Sequence, residues 1–212
     1  MKIIISSLLL VCATSATADS IDTTTLANSS VNPFGNPNTA TYGQTINLGS
    51  NAGLLNSFSF FLGPLDQSFK AYVYEWDGAK ATGSALFESG VINIGSSFSG
   101  FNEVLVNTGE VSLNANTDYA LFFSTSGLQD VSATNSWQFS SDDIYSMGSF
   151  IFINNGNDFN LITSQFWDNF VSGDLAFKAN IADVNAVPVP AAAWLFGSAL
   201  IGFAGFKRKN IG

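Results

Sequence analysis

The sequence predicts a mainly β protein, an antiparallel β-sandwich of jelly-roll type, with an N-terminal signal peptide and a C-terminal transmembrane helix. Three observations carry the prediction. Between residues 45 and 183 the apolar side chains fall in short alternating runs, the period of a strand with one buried face. Those runs are filled by β-branched and aromatic residues, and the 20 Phe of the chain supply material to fill the space between two sheets. Glycine-containing dipeptides punctuate the runs at close spacing, and no stretch of that region holds a 3.6-residue apolar stripe. No repeat of fixed period is present, which argues against a propeller or solenoid.

The elements follow in chain order. Residues 1–18 have a basic start at Lys2, an apolar run over 3–11 and the small-residue site Ala16-Thr17-Ala18. That is the layout of a secretory signal peptide, exported by the Sec machinery and cleaved after Ala18, because its apolar core of roughly 7–15 residues is too short for a permanent span. The single cysteine, Cys12, lies inside it. Cleavage therefore leaves no thiol, and with it no disulfide or thiolate nucleophile. The rival reading, Cys12 as a lipidated residue, is disfavoured by the bulk of Val11 before it.

Residues 19–44 are rich in Thr, Ser, Asn and Pro and read as an extended segment, with an edge strand as its largest contribution to the fold. From residue 45 the sandwich domain runs to 183. The segment 54–62 places Phe58, Phe60 and Leu62 on one face and Ser57 and Ser59 on the other. Further strands are expected over 69–76, 85–88, 91–94, 101–106, 119–124, 136–139, 150–153 and 174–181. Turns are expected at Asp77-Gly78, Ser89-Gly90, Ser126-Gly127 and Asn155-Gly156.

Residues 184–212 form the tail. Pro188 and Pro190 precede an uncharged run over 191–206, and Lys207, Arg208 and Lys209 follow it. As a helix this run rises about 24 Å, slightly short of a ~30 Å hydrocarbon core, and flanking residues with snorkelling lysines extend it. The basic cluster stays cytoplasmic and the preceding domain is placed on the far side of the membrane. Ser198 and Gly202 form a small-xxx-small pair suited to close helix packing.

This tail resembles the PEP-CTERM sorting signal of exosortase substrates. The resemblance rests on Val187-Pro188-Val189-Pro190, then Ala191-Ala192-Ala193-Trp194-Leu195-Phe196-Gly197-Ser198, the spaced Gly202 and Gly205, and the basic stop, about 25 of 212 residues. It implies an exported Gram-negative protein recognised at the inner membrane by an exosortase-type peptidase or transferase, processed near Pro188 and Pro190, and delivered to the cell surface or extracellular matrix. Val189 stands where the family usually has Glu, a departure that bears on processing. A second stretch, residues 69–78 with Gly83 and Leu86-Phe87-Glu88-Ser89-Gly90, is similar to a sandwich ectodomain found with this tail, and it implies a fold but no catalytic residues.

Composition narrows the function. Lys and Arg total 7 against 16 Asp and Glu. The chain between residues 19 and 186 holds all sixteen acids but only Lys70, Lys80 and Lys178 as cations, a net charge of −13. Nucleic acid is excluded as a partner, because phosphate binding needs a basic field. The absence of His removes Ser-His-Asp and Cys-His hydrolysis and His-ligated metal sites. No phosphate-binding, nucleophile-elbow or dinucleotide motif is present.

Three chemistries remain for the domain. Trp76 beside Asp77-Gly78, with Tyr74 and Tyr72, or Trp137 and Trp167, would offer aromatic faces to a sugar ring, against the plainer reading of sandwich packing. Asp142, Asp143 and Asp158, with the Asn-rich run 154–157 and Asp168 or Asp174, are oxygen ligands of the kind a structural calcium takes, against the plainer reading of hydrophilic loops. A glycan hydrolase would need two of Glu75, Glu88, Glu103 and Glu110 or the aspartates as a pair, and alternation places Glu75 on the face of Ala71 and Val73, opposite Tyr72, Tyr74 and Trp76, and half-buried. The expectation is an envelope or matrix protein with no catalytic residues and no cofactor beyond such a calcium, structural or adhesive in role and linked to exopolysaccharide and biofilm. Carbohydrate binding is the alternative and hydrolysis a distant third.

Overall fold

In the computed structural model the described residues are 19–36, 39–128, 132–170 and 173–184. They form two antiparallel sheets. The first contains β1 (Asp19–Asp22), β2 (Ser29–Asn36), β4 (Gly53–Leu62), β7 (Asn102–Leu113), β9 (Ala133–Ser140), β12 (Asp174–Leu175) and β13 (Phe177–Asp183). The second has the order β11-β10-β3-β8-β5-β6, where β3 is Thr41–Asn47, β5 Lys70–Trp76, β6 Ala81–Glu88, β8 Asp118–Ser124, β10 Phe150–Ile153 and β11 Asp168–Phe170.

The chain folds this way because the inward positions of the two sheets are its large apolar residues. Phe60 pairs with Val104 of β7 and Phe177 of β13, so three strands present apolar side chains in one row. Phe58 pairs with Val106 and Ala179 in the same manner. Opposite them stand Tyr42, Ile46, Ala71, Val73, Leu121, Phe123 and Phe150 of the second sheet. Trp137 of β9 sits at the centre, its ring within 5.5 Å of those of Phe34, Tyr42, Phe60 and Phe123. Each such burial contributes roughly 1.5–3 kcal/mol, and edge-to-face geometry adds about 0.5–1.5 kcal/mol per pair.

The two sheets differ on their outer faces. On the first, β4, β7 and β13 alternate buried and accessible positions, so one face is dry and the other wet. On the second, β8 is buried at every position after Asp118, because its outer face is covered too. Tyr72, Tyr74, Phe122, Ile151 and Ile153 pack there under Ile162 and Trp167, carried by the segment after β10 that includes the short helix α1 (Leu161–Ser164). The Trp167 indole donates to the Ile162 carbonyl at 2.9 Å, and its backbone N–H to the Ala79 carbonyl at 2.9 Å, fixing the cover to the β5–β6 turn.

Two expectations need correction. The segment 19–44 is not a loose extension: it supplies β1, β2 and the start of β3, and β3 is a central strand paired on both sides. Its polar composition hides this, because Gln44 is buried by hydrogen bonding and Phe34 by packing. Residues 91–94 form only the single bridge Phe69↔Ile92, with Leu65↔Gly95 next to it, whereas β6 begins at Ala81 and β7 extends to Leu113. The β7 extension passes a bulge where Gly109 and Glu110 both adopt positive φ. No helix among the described residues is long and apolar enough to cross a membrane. The signal peptide 1–18, with Ala16 and Ala18, and the tail from 185 onward lie outside the described residues.

Candidate functional site

The aromatic platform expected at Tyr74 and Trp76 is filled by the protein itself. Tyr74 is buried in the outer apolar layer of the second sheet, with its ring 5.6 Å from that of Phe122. Burial raises the pKa of its hydroxyl above the usual tyrosine value, and the Glu88 charge adds to this. Trp76 is half-buried, edge-on to Trp167 at 5.4 Å. Tyr72 stacks on Phe122, and Trp137 and Trp167 are both buried.

The expected calcium ligands are not brought together. Asp142 and Asp143 are exposed after β9, whereas the Asp158 carboxylate accepts from the Asn160 backbone and side-chain N–H groups at 3.0 and 3.1 Å. Asn155 is buried and accepts from the Thr41 hydroxyl at 2.9 Å. Among the described residues no three acidic, thiol or imidazole side chains converge. Asn155 and Asp158 instead organise the turn after β10, where the Asn155 side-chain amide also donates to the Asp158 carbonyl at 3.3 Å.

The glutamates are dispersed. Glu75 lies past the end of the core and is exposed, not half-buried as alternation suggests, and Glu110 is exposed at the β7 bulge. Glu88 pairs with Lys70 at 2.6 Å and Glu103 with Lys178 at 3.1 Å.

That last pair belongs to an organised surface. On the wet face of the first sheet, strand pairing sets Asp22, Lys178, Ser59 and Leu105 in one row across β1, β13, β4 and β7. The next row holds Ser20, Asn180, Ser57 and Asn107. Phe61 and Glu103 pair beside the first row. Register alone brings these residues together, because side chains two apart on a strand share a face.

Hydrogen bonds fix the surface. The Ser59 hydroxyl donates to Glu103 Oε1 at 2.7 Å, and the Lys178 ammonium bonds Oε2 at 3.1 Å. The same ammonium stands 5.3 Å from the centre of the Phe61 ring, and Asn56 donates to the Asn180 side-chain carbonyl at 3.1 Å. Asp22 accepts from the Thr24 hydroxyl and N–H, which lower its pKa, and Lys178 adds to that effect. A depression of about 240 Å³ is lined by Ser20, Asp22, Ser57, Ser59, Glu103, Leu105, Lys178 and Asn180. Ser59 is fully buried beneath them while Leu105 is 59% exposed at the rim. The arrangement offers hydroxyl, amide, ammonium and carboxylate groups beside two apolar side chains, the equipment for holding a polyhydroxylated ligand.

No protein-family model and no curated protein matches the chain. Among solved structures it is similar to the crystal structure of the cysteine protease and lectin-like domains of Cwp84, a surface-layer-associated protein of Clostridium difficile, at 13% identity and a TM-score of 0.46. The match covers 69% of this chain and 32% of that one, so this chain spans about a third of the length of that protein chain.

Proposed function

We propose that the chain is an exported cell-envelope or extracellular-matrix protein, sorted by an exosortase-type system. In this reading its jelly-roll-like sandwich serves a structural or adhesive role linked to exopolysaccharide. The observation that carries the reading is the order of the tail: Pro188 and Pro190, an uncharged run with Trp194, Leu195, Phe196 and Gly197 at its start, and Lys207, Arg208 and Lys209 after it. Residues 191–206 would cross the inner membrane transiently as a helix, held by the basic cluster on the cytoplasmic side. The leader 1–18 supports the same direction of transport.

The test is intact mass and cell fractionation of the protein in its native host, beside a variant carrying Pro188→Ala and Pro190→Ala. The reading expects an N-terminus at Asp19, a C-terminus near the prolines and release from the inner membrane, with the last two lost in the variant. A full-length chain retained in the inner membrane in both cases would overturn it.

The wet face of the first sheet favours a second reading for the domain, carbohydrate binding. Its polar rows, with Leu105 and Phe61 beside them, are the observation behind it.

A further inference from the structure

We infer that the groove over β1, β13, β4 and β7 is a binding site for a neutral glycan chain. This inference rests on the carbohydrate-binding reading and gives it a place and a ligand class. Four features of the groove lead there.

The first is chemical variety within a small area. Ser20, Ser57, Asn180, Asp22 and the Glu103–Lys178 pair both donate and accept, which suits the hydroxyl groups of a sugar; Leu105 offers apolar surface to its C–H faces.

The second is preorganisation. Glu103 is held at both oxygens, by Ser59 and by Lys178, and Lys178 is held again over Phe61. These side chains lose little freedom when a ligand arrives, which lowers the entropic cost of association.

The third separates glycan from peptide. The groove lies on the face of the sheet, whose backbone hydrogen bonds run in the sheet plane between β1, β13, β4 and β7, so a ligand seated on that face meets side chains, while the outer edges of β1 and β7, where an extended peptide would pair, lie at its sides. Recognition must come from side chains.

The fourth is charge. The groove carries Asp22 and Glu103 against Lys178, and the chain between residues 19 and 186 carries −13. Uronate-rich, sulfated or phosphorylated polymers are therefore repelled, and a neutral chain is accepted.

The test is affinity electrophoresis of the full-length chain in gels containing laminarin, xyloglucan or galactomannan, three neutral polysaccharides, with alginate as the polyanion. Expected is retardation by at least one neutral polymer and none by alginate. Leu105→Asp and Asn180→Ala, both at exposed positions, should each weaken that retardation about tenfold or abolish it, while Trp76→Ala leaves it unchanged. Unchanged thermal unfolding of the variants shows that the site, and not the fold, is lost. Retardation that persists in both groove variants, or that disappears with Trp76→Ala, overturns the groove and leaves carbohydrate binding standing elsewhere on the domain. Retardation by alginate alone overturns the ligand class. No retardation by any neutral polymer overturns both the groove and the carbohydrate-binding reading.

Discussion

Gln44 of β3 and Asp174 of β12 join the two sheets of the sandwich through a side-chain hydrogen bond. The Gln44 amide donates to Asp174 Oδ1 at 2.7 Å, and its carbonyl accepts from the Leu175 backbone N–H at 3.0 Å. Asp174 Oδ2 accepts from the N–H groups of Ile144 and Tyr145, both at 2.9 Å, so one buried carboxylate ties β3, β12 and the loop after β9.

Removing the amide should therefore cost more than an average surface change. Gln44→Leu leaves a buried carboxylate short of one donor and a buried N–H without its acceptor, and should destabilise the protein by about 3 kcal/mol. Urea unfolding at neutral pH measures it. A loss below about 1 kcal/mol would contradict the role given to this contact.

Asp174 also predicts a pH dependence. Burial raises its pKa above the ordinary carboxylate value, and Asp143 adds to the rise, against the opposing hydrogen bonds from Gln44, Tyr145 and Ile144. Between the unfolded value of about 3.9 and the raised native value, the native protein keeps a proton that the unfolded chain has released. This contribution to stability is present at the acid end, falls as pH rises through that interval and is flat above it. The difference in unfolding free energy between wild type and Asp174→Asn, followed upward from about pH 4, should shrink in that sense. A difference that grows with pH would refute it.

Gly43 makes a sharper steric case. A Cβ placed there would lie 2.6 Å from both the Leu121 carbonyl oxygen and Phe122 Cβ, well inside contact distance. Both neighbours belong to β8, the central strand paired with β3, and neither can move aside. Gly43→Val should cost about 3 kcal/mol or more. The readout is the thermal midpoint and the near-ultraviolet circular dichroism, and a native-like midpoint would show that the strands can separate locally.

Phe60 and Phe166 test what burial means here. Phe60 is fully buried with the rings of Phe123 and Trp137 both 5.1 Å away, so Phe60→Ala should lose about 4 kcal/mol. Phe166 is 73% exposed, and Phe166→Ala should stay within about 0.5 kcal/mol. Parallel denaturant titrations decide it; comparable losses would mean that Phe166 is covered in solution.

These contrasts explain what the sequence alone makes legible. The alternation of Phe58, Phe60 and Leu62 against Ser57 and Ser59 reads directly as a strand with one wet face, because the first sheet has one. The second sheet blurs the same signal: its outer face is covered by Ile162 and Trp167, and nothing in β8 itself announces a cover from forty residues away. Tyr74 and Trp76 beside a turn look open for the same reason, since Trp167, which closes over them, is remote in the chain. The polar segment 19–44 reads as loose because burial of Gln44 depends on Asp174, 130 residues away. Glu103 and Lys178 are 75 residues apart and meet only because β4 lies between their strands. The one local signal for that surface is scarcity: Lys178 is one of three cations between residues 19 and 186.

The place of β13 between β1 and β4 has a mechanical consequence. Pulling at Val184 draws β13 lengthwise, and its ladders to β1 over Asp19–Asp22 and to β4 over Gly53–Phe60 run across the direction of pull. Backbone bonds loaded side by side share the force and must fail nearly together, whereas a strand peeled from its end gives them up singly. Lys178 and Asn180 stand on that same strand, so tension applied between the groove and Val184 would run along β13 itself.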